Sequence, residues 1–533
     1  MIRLSQARTK EWLAIHGWSG MLLGLLLYAV ICTGTVAVFA TEIGRWSSPL
    51  EQPASEGLQP GLNARVQELF ERTNPEWRED MDLFAMHGGR LFLRFMGERD
   101  VEGGPEGAHE HYGVEYQLDP GSLSILQQTE GTHADFEARR TAGALSEFFV
   151  DLHVRLHIPN PWGIFITGVL GLAMMVASIT GFVVHRHLIR EMFTLRRRKN
   201  SLKTARDVHV LAGTWNLPFA FVLAFTGSFF SFASAVGLPA MAMVVFEGDQ
   251  ERALEEVFGA PPAHDDTPAP LANLDTILRD ATDRAGVAPV FLSIHFPGRA
   301  DASVRAFLPP AEGELSGRAL DYSGASGAFL RENPVLVGTE PSLGNDVAAL
   351  MTPLHFGHFA GLLSKSVWFA MGFAGAYVTF SGMLLWTRRR QESLAWRRMA
   401  ATTRWVGYGL PLAMIFTAWG FFLGGGAQSS SVFAAQWWAF AGSALLAAIV
   451  MLLSGQQSRR VLLRLSAFGL AGLPLLRWLS GGPGWGEAFA SGHSLIVGMD
   501  WVLIGAAALC LNWSRKSLPA TEDSSATLAP EPA

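Results

Sequence analysis

The chain has 533 residues, 49% of them hydrophobic and only 17% charged, with a mean hydropathy of +0.22. A soluble domain carries about 25% charge, so a single water-soluble globule is excluded. A net charge of −6 argues against a polyanionic ligand, and two cysteines without CxxC or CxxCH spacing exclude a thiolate metal cluster and a covalently attached c-type heme.

In chain order, long uncharged runs appear at Gly17–Ala40, Pro161–Val184, Val210–Phe232, Val367–Trp386, Val406–Gly424, Val432–Leu453, Val461–Leu479 and Ser494–Trp513. Each is near the roughly 20 residues that cross about 30 Å of hydrocarbon. Arg464 and Arg477 sit near the ends of the seventh run, where long side chains reach the interface. The first run is too long for a removed leader and lacks a cleavage site, so it reads as an anchor. Basic residues cluster in Met1–Trp12, His185–Arg206, Arg388–Arg398 and Gln456–Arg460, and again at Arg515 and Lys516. These segments alternate with segments poor in Lys and Arg. Eight spans with both termini cytoplasmic therefore satisfy every connection. The two long connections are then extracytoplasmic. From Glu42 to Glu147 there are 20 Asp and Glu against 9 Arg and no Lys, which argues against nucleic acid or another polyanion as a ligand of that region.

The expected organisation is a first span in 1–40 and an extracytoplasmic lobe in 41–160. Two spans with a basic cytoplasmic loop fill 161–237. A second lobe occupies 238–366, and 367–400 holds the fourth span and another basic loop. Four more spans form a bundle in 401–516, and 517–533 reads as a disordered tail. Helical spacing covers Leu62–Arg72 and Leu271–Ala285, and strand-like patterns cover Leu91–Met96, Val114–Leu118, Leu123–Gln127, Val290–Phe296 and Ala302–Leu308. The fold class is thus a membrane-embedded all-α bundle of about eight transmembrane helices carrying two small α+β lobes.

The first four spans are a duplication. His16 precedes Thr33-Gly34 by 17 residues, and His209 precedes Thr226-Gly227 by the same distance. His157 precedes Thr180-Gly181 by 23 residues, and His358 precedes Ser381-Gly382 by 23. Both halves cross in the same sense, a parallel 2+2 repeat about an axis near the membrane normal. The last four spans lack the pattern and read as an appended bundle. The Thr/Ser-Gly steps read as close-packing sites between helices.

On this topology His16, His185, His187 and His209 border the cytoplasmic face, and His153, His157, His355 and His358 border the other. Two layers of histidine in a four-helix bundle are what two b-type hemes, each held by two imidazoles, require. An interfacial histidine is just as often an amphipathic side chain at headgroup level, and His187, among arginines, reads that way. His109-x-His111 reads as a solvated loop ahead of a metal site.

These residues resemble the PepSY-associated transmembrane proteins, a group that includes iron-regulated membrane proteins and ferric-siderophore reductases. The resemblance rests on His16-Gly17-Trp18, Thr33-Gly34, Leu152-His153, Gly171-Leu172, Thr180-Gly181 and His185-Arg186. It continues through Arg206-Asp207-Val208-His209, Trp215-x-Leu217-Pro218-Phe219 and Leu354-His355-Phe356-Gly357, and so spans residues 1 to about 390. It implies PepSY-like lobes, a bacterial inner-membrane location, and two histidine-ligated b hemes passing electrons to ferric siderophores. A cytoplasmic or quinol donor is implied with them. By family match His153 and His355 lead on the outer face, and by repeat register His157 and His358 do. On the inner face His16, His185 and His209 all match. The competing readings are a heme-free scaffold whose lobes bind a partner, and a siderophore or iron transporter.

Overall fold

The computed structural model describes residues 5–49, 57–86, 89–100, 109–184, 193, 201–249, 252–253, 263–334, 343–388 and 390–516. Among these, six helical stretches are long and apolar enough to cross a membrane, or seven if one bent pair counts as a span. The bent pair is α1 (Gln6–Leu22) and α2 (Gly24–Ala37), which meet at 67°. The sequence runs straight through this break as one span. The bend hands the chain from one neighbour to another, because α1 packs on α7 (Trp162–Val184), whereas α2 packs on α6 (Ala144–Val154) and α12 (Gly361–Arg388). The short helix α3 (Ala40–Ser47) follows α2. The third long helix is α8 (Ser201–Phe232).

After Arg388 come α13 (Leu394–Leu423), α14 (Ser431–Ser454), α15 (Ser458–Leu479) and α17 (Ser494–Arg515), with the short α16 (Trp485–Ala490) between the last two. The stretch Ser431–Leu479 is 49 residues long and registers as a single apolar candidate. It holds two helices, α14 and α15, joined by a 3-10 turn at Gly455–Gln457.

The two lobes expected as separate bodies form one sheet. Each contributes a helix, α4 (Asn63–Arg72) or α10 (Leu274–Ala285), and a four-stranded antiparallel meander. The first meander is β1 (Asp80–Met86), β2 (Arg90–Asp100), β3 (His109–Leu118) and β4 (Ile125–Thr132). The second is β5 (Phe291–His295), β6 (Ser303–Leu308), β7 (Arg318–Ser323) and β8 (Phe329–Pro334). β1 pairs with β5, Asp80 opposite His295 and Phe84 opposite Phe291, giving the order β4-β3-β2-β1-β5-β6-β7-β8. Each lobe thereby covers an edge that would otherwise present unpaired backbone groups. One continuous core, including Leu83, Phe95, Ile277 and Leu292, lies beneath it. His109 and His111, expected in a loop, lie on β3, with His109 3.0 Å from Asp100.

The duplication extends to buried charge. Arg94 on β2 faces Glu115 on β3 at 3.0 Å, and Arg305 on β6 faces Asp321 on β7 at 2.7 Å. The two helices also cap each other. The Asp275 carboxylate accepts from the backbone N–H groups of Gly61, Leu62 and Asn63 at 2.8–3.2 Å, and Asn63 accepts from Leu274 N–H at 2.9 Å. Three N–H groups of one helix start thus depend on a residue of the other lobe. Asp275→Ala is expected to cost about 1–2 kcal/mol, the scale of a lost N-cap, while Asp275→Asn keeps an acceptor and most of the stability. Thermal melting of the intact protein followed by circular dichroism checks the ranking.

The appended bundle is tied to the first repeat by an indole that bonds one member of a buried ion pair. Arg477 on α15 donates to Asp500 on α17 at 2.9 Å, both side chains being essentially inaccessible to solvent. Asp500 also accepts from the indoles of Trp46 on α3 at 2.8 Å and Trp485 on α16 at 2.9 Å. Arg477 therefore does not reach for the interface as its place near a span end suggests. It is folded inward because a carboxylate waits there. A second buried pair, Glu42 to Lys365 at 2.7 Å, joins α3 to the start of α12.

Candidate functional site

Four histidines share one local construction. His16 on α1 rests on Gly181 of α7, and His153 on α6 rests on Gly34 of α2. His209 on α8 rests on Gly382 of α12, and His355 on α11 (Leu343–Phe356) rests on Gly227 of α8. A Cβ at these glycines would lie 3.3, 2.6, 2.9 and 3.1 Å from the respective ring. The residue before each glycine is the Thr or Ser of the repeated step, and before Gly181, Gly227 and Gly382 its hydroxyl reaches the same ring. His355 Nδ1 lies 3.0 Å from the Thr226 hydroxyl and His209 Nδ1 lies 3.0 Å from that of Ser381. His16 Nδ1 is 3.0 Å from the Ala177 carbonyl and 3.2 Å from the Thr180 hydroxyl, and His153 Nδ1 is 2.9 Å from the Val30 carbonyl.

These contacts assign the tautomer. A carbonyl only accepts, so Nδ1 of His16 and of His153 carries the proton and donates. The hydroxyls of Thr226 and Ser381 already donate to backbone carbonyls, to Val222 at 2.8 Å and Val378 at 3.1 Å, so they accept from the ring as well. In all four rings Nε2 is left with a bare lone pair, the form that ligates a metal, and the second nitrogen fixes the ring orientation. Among the described residues no hydrogen-bond partner is seen for any of the four Nε2 atoms. The Thr/Ser-Gly steps, read from sequence as packing sites, are also the seats of the histidines.

The rings line two chambers in the four-helix core. The outer one, about 420 Å³ and mostly apolar, holds His153 and His355. The inner one, about 480 Å³, holds His16 and His209, with Arg206 at its wall. Each chamber takes one histidine from each half of the duplication. They meet at Leu27, Ile31, Met174, Asn216 and Gly375, which line both. The side chain of Asn216 is buried there, and its Oδ1 has no hydrogen-bond partner.

The His153 and His355 ring centroids are 6.2 Å apart with planes 27° from parallel. Two imidazoles bound trans to one iron, with metal–nitrogen bonds of about 2.0 Å, place their centroids roughly 6.3 Å apart. The centroid spacing and the mostly apolar lining of this chamber fit two imidazoles sharing one iron macrocycle. Phe230 and Phe356 flank His355 at 5.6 and 5.3 Å. No cluster of three or more His, Cys, Asp or Glu side chains able to hold a bare metal ion occurs among the described residues.

His157 and His358, the pair favoured by repeat register, do not line this chamber. The helix carrying His153 ends at Val154, and Leu156 and His157 have positive φ, so the i,i+4 relation does not hold. The His157 ring packs between Phe148 and Trp437, and its Nδ1 lies 3.7 Å from Asp151. His358 lies two residues beyond α11, against Phe356. Its spacing to Ser381, like that of His157 to Thr180, is counted through a non-helical link and carries no register. His185 and His187 lie outside the described residues.

A bundle of long apolar helices under a fused sheet, with histidine-lined chambers in its core, defines a multi-pass membrane protein. The model of the PepSY-associated TM region matches residues 13–389, and the chain belongs to that family. An uncharacterized protein of Pseudomonas aeruginosa is 26% identical over 261 residues, covering 46% of this chain and 64% of that protein. The helices from α13 onward lie beyond the family match.

Proposed function

We propose that this protein is a diheme b electron conduit of a bacterial inner membrane, delivering electrons to ferric iron in a siderophore chelate on the outer side. The observation that carries it is the pair His153 and His355, one from each half, which line one chamber with ring centroids 6.2 Å apart. His16 and His209 would hold a second group in the inner chamber. Bound in these places, heme supplies a one-electron carrier of fixed coordination. The chain's own part is to pin each Nδ1 by a hydroxyl or carbonyl, keep the rings neutral and exclude water with apolar walls.

The chambers share five lining residues, so the proposed electron corridor runs from one to the other. The reaction consumes one electron per iron, from a cytoplasmic or quinol donor, and converts Fe(III) to Fe(II). Hard oxygen chelators hold the ferrous ion less well, so reduction releases it. The reading takes eight spans, counting α1 with α2 as one and α14 and α15 separately, with both termini cytoplasmic and the fused sheet outside. The basic loops support this orientation.

The test is a dithionite-reduced minus oxidised visible spectrum of the purified protein, with heme quantified against protein. Sharp b-type α-bands at about two hemes per chain are expected. A colourless protein from heme-replete cells would sink the proposal.

A further inference from the structure

Between the sheet and the appended bundle lies a third cavity, an open cleft that is polar where the two chambers are mostly apolar. It has a volume of about 940 Å³ and lies between the β3–β4 region of the first lobe and the loop that joins α13 to α14. Arg90, Arg139 and three glutamines line it from the lobe, together with the carboxylates of Asp119 and Glu130, and Gln428 lines it from the loop. Leu126 is the one large apolar side chain in its wall. The loop is fastened in place, since the Thr141 hydroxyl donates to the Ala427 carbonyl at 2.6 Å.

Arg90 is buried in this wall with its charge only partly answered. Its residue is 9% exposed, its NH2 group donates to the Ser48 carbonyl at 2.9 Å, and its Nε has no hydrogen-bond partner. It forms no ion pair among the described residues. The acid nearest in effect is Asp119, but one oxygen of Asp119 already accepts from Gly121 N–H, Ser122 N–H and the Ser122 hydroxyl. A guanidinium taken out of water without a carboxylate or phosphate partner is costly, and its planar fork suits those oxyanions. Around it the glutamine amides and the hydroxyls of Thr129 and Ser430 offer donors and acceptors to a polar body.

We propose that this cleft binds a small oxyanion-bearing polar molecule, carboxylate or phosphate, with Arg90 as the charged anchor and the glutamines holding the rest. One wall comes from the helices beyond the family match, which gives the appended bundle a role outside the membrane. The proposal is independent of the redox reading, because it concerns equilibrium binding and needs no heme.

The test is isothermal titration of the full-length, detergent-solubilised protein with citrate and, separately, inorganic phosphate, at about 0.15 M salt to screen loose surface charge. Saturable binding of either anion is expected, weakened about tenfold or more in Arg90→Gln, as for loss of a buried charged partner. The preferred anion separates a carboxylate ligand from a phosphate ligand. If Arg90→Gln does not fold, the Arg139→Gln/Gln428→Ala double variant, altered only at the rim, carries the decision and should weaken binding about threefold or more. Failure of both anions to saturate, or a folded variant that binds as tightly as the parent, overturns the proposal.

Discussion

Replacing His355 with alanine is expected to remove one of two hemes, lowering the heme-to-protein ratio from about two to about one. His153 alone cannot hold the iron from both sides, and no other described histidine lines the outer chamber. The inner pair, His16 and His209, is untouched, so a b-type spectrum of about half the amplitude should remain. Ferric-chelate reduction should fall to background, because the corridor is cut at its outer end. Gly34→Val is the sharper version of the same experiment. A Cβ at Gly34 sits 2.6 Å from the His153 ring, so the valine must push the imidazole off its seat while every candidate ligand stays in the chain. Loss of the same heme in both variants would tie the glycine seat to ligation. Retention of two hemes in His355→Ala would remove His355 from the ligand set.

The second large effect is structural. Arg477→Leu leaves Asp500 buried with two indole donors and no counter-charge. Breaking one partner of a buried pair costs about 3–5 kcal/mol, whereas replacing both with apolar residues is often close to neutral. The single variant should therefore lose thermal stability heavily, and Arg477→Leu/Asp500→Leu should recover much of it. The recovery should be incomplete, because Trp46 and Trp485 then lose their acceptor, at about 1 kcal/mol each. Melting followed by tryptophan fluorescence in detergent reads both. A double variant no better than the single would show that the indole contacts, and not the ion pair, hold this junction.

Much of this architecture was written locally. The apolar runs, the basic loops and the helices of the lobes are short-range signals, and α4 and α10 fall within three residues of their expected limits. The strands at 91–96, 114–118 and 302–308 show burial on at least one face and were legible. β1, β7 and β8 were not, because Asp80, Asp82, Asp321, Arg331, Glu332 and Pro334 break the apolar alternation that marks a strand. Their charges are satisfied across the sheet, for instance Arg331 by Asp321 at 2.9 Å, and that pairing has no local trace. Nor does the joint of β1 with β5, whose partners are more than 200 residues apart. At the chambers, residue type and layer could be read, but the choice between His153 and His157 hinged on where α6 ends. The four Thr/Ser-Gly steps were visible as a repeat. That they numbered the same as the seated histidines was the unused clue.

The crossed origin of each chamber bears on how the protein is made. Synthesis delivers the N-terminal half first, with His16 and His153 already resting on their own half's glycines and each facing an open side. Neither chamber has its second ring until α8 and then α11 have emerged. His355 can take its seat on Gly227 of α8 as soon as α11 forms, whereas His209 waits for Gly382 of α12, so the chamber of His16 and His209 is the last to close. A chain truncated within the second lobe would lack both His355 and the seat of His209, and neither chamber would hold two seated rings.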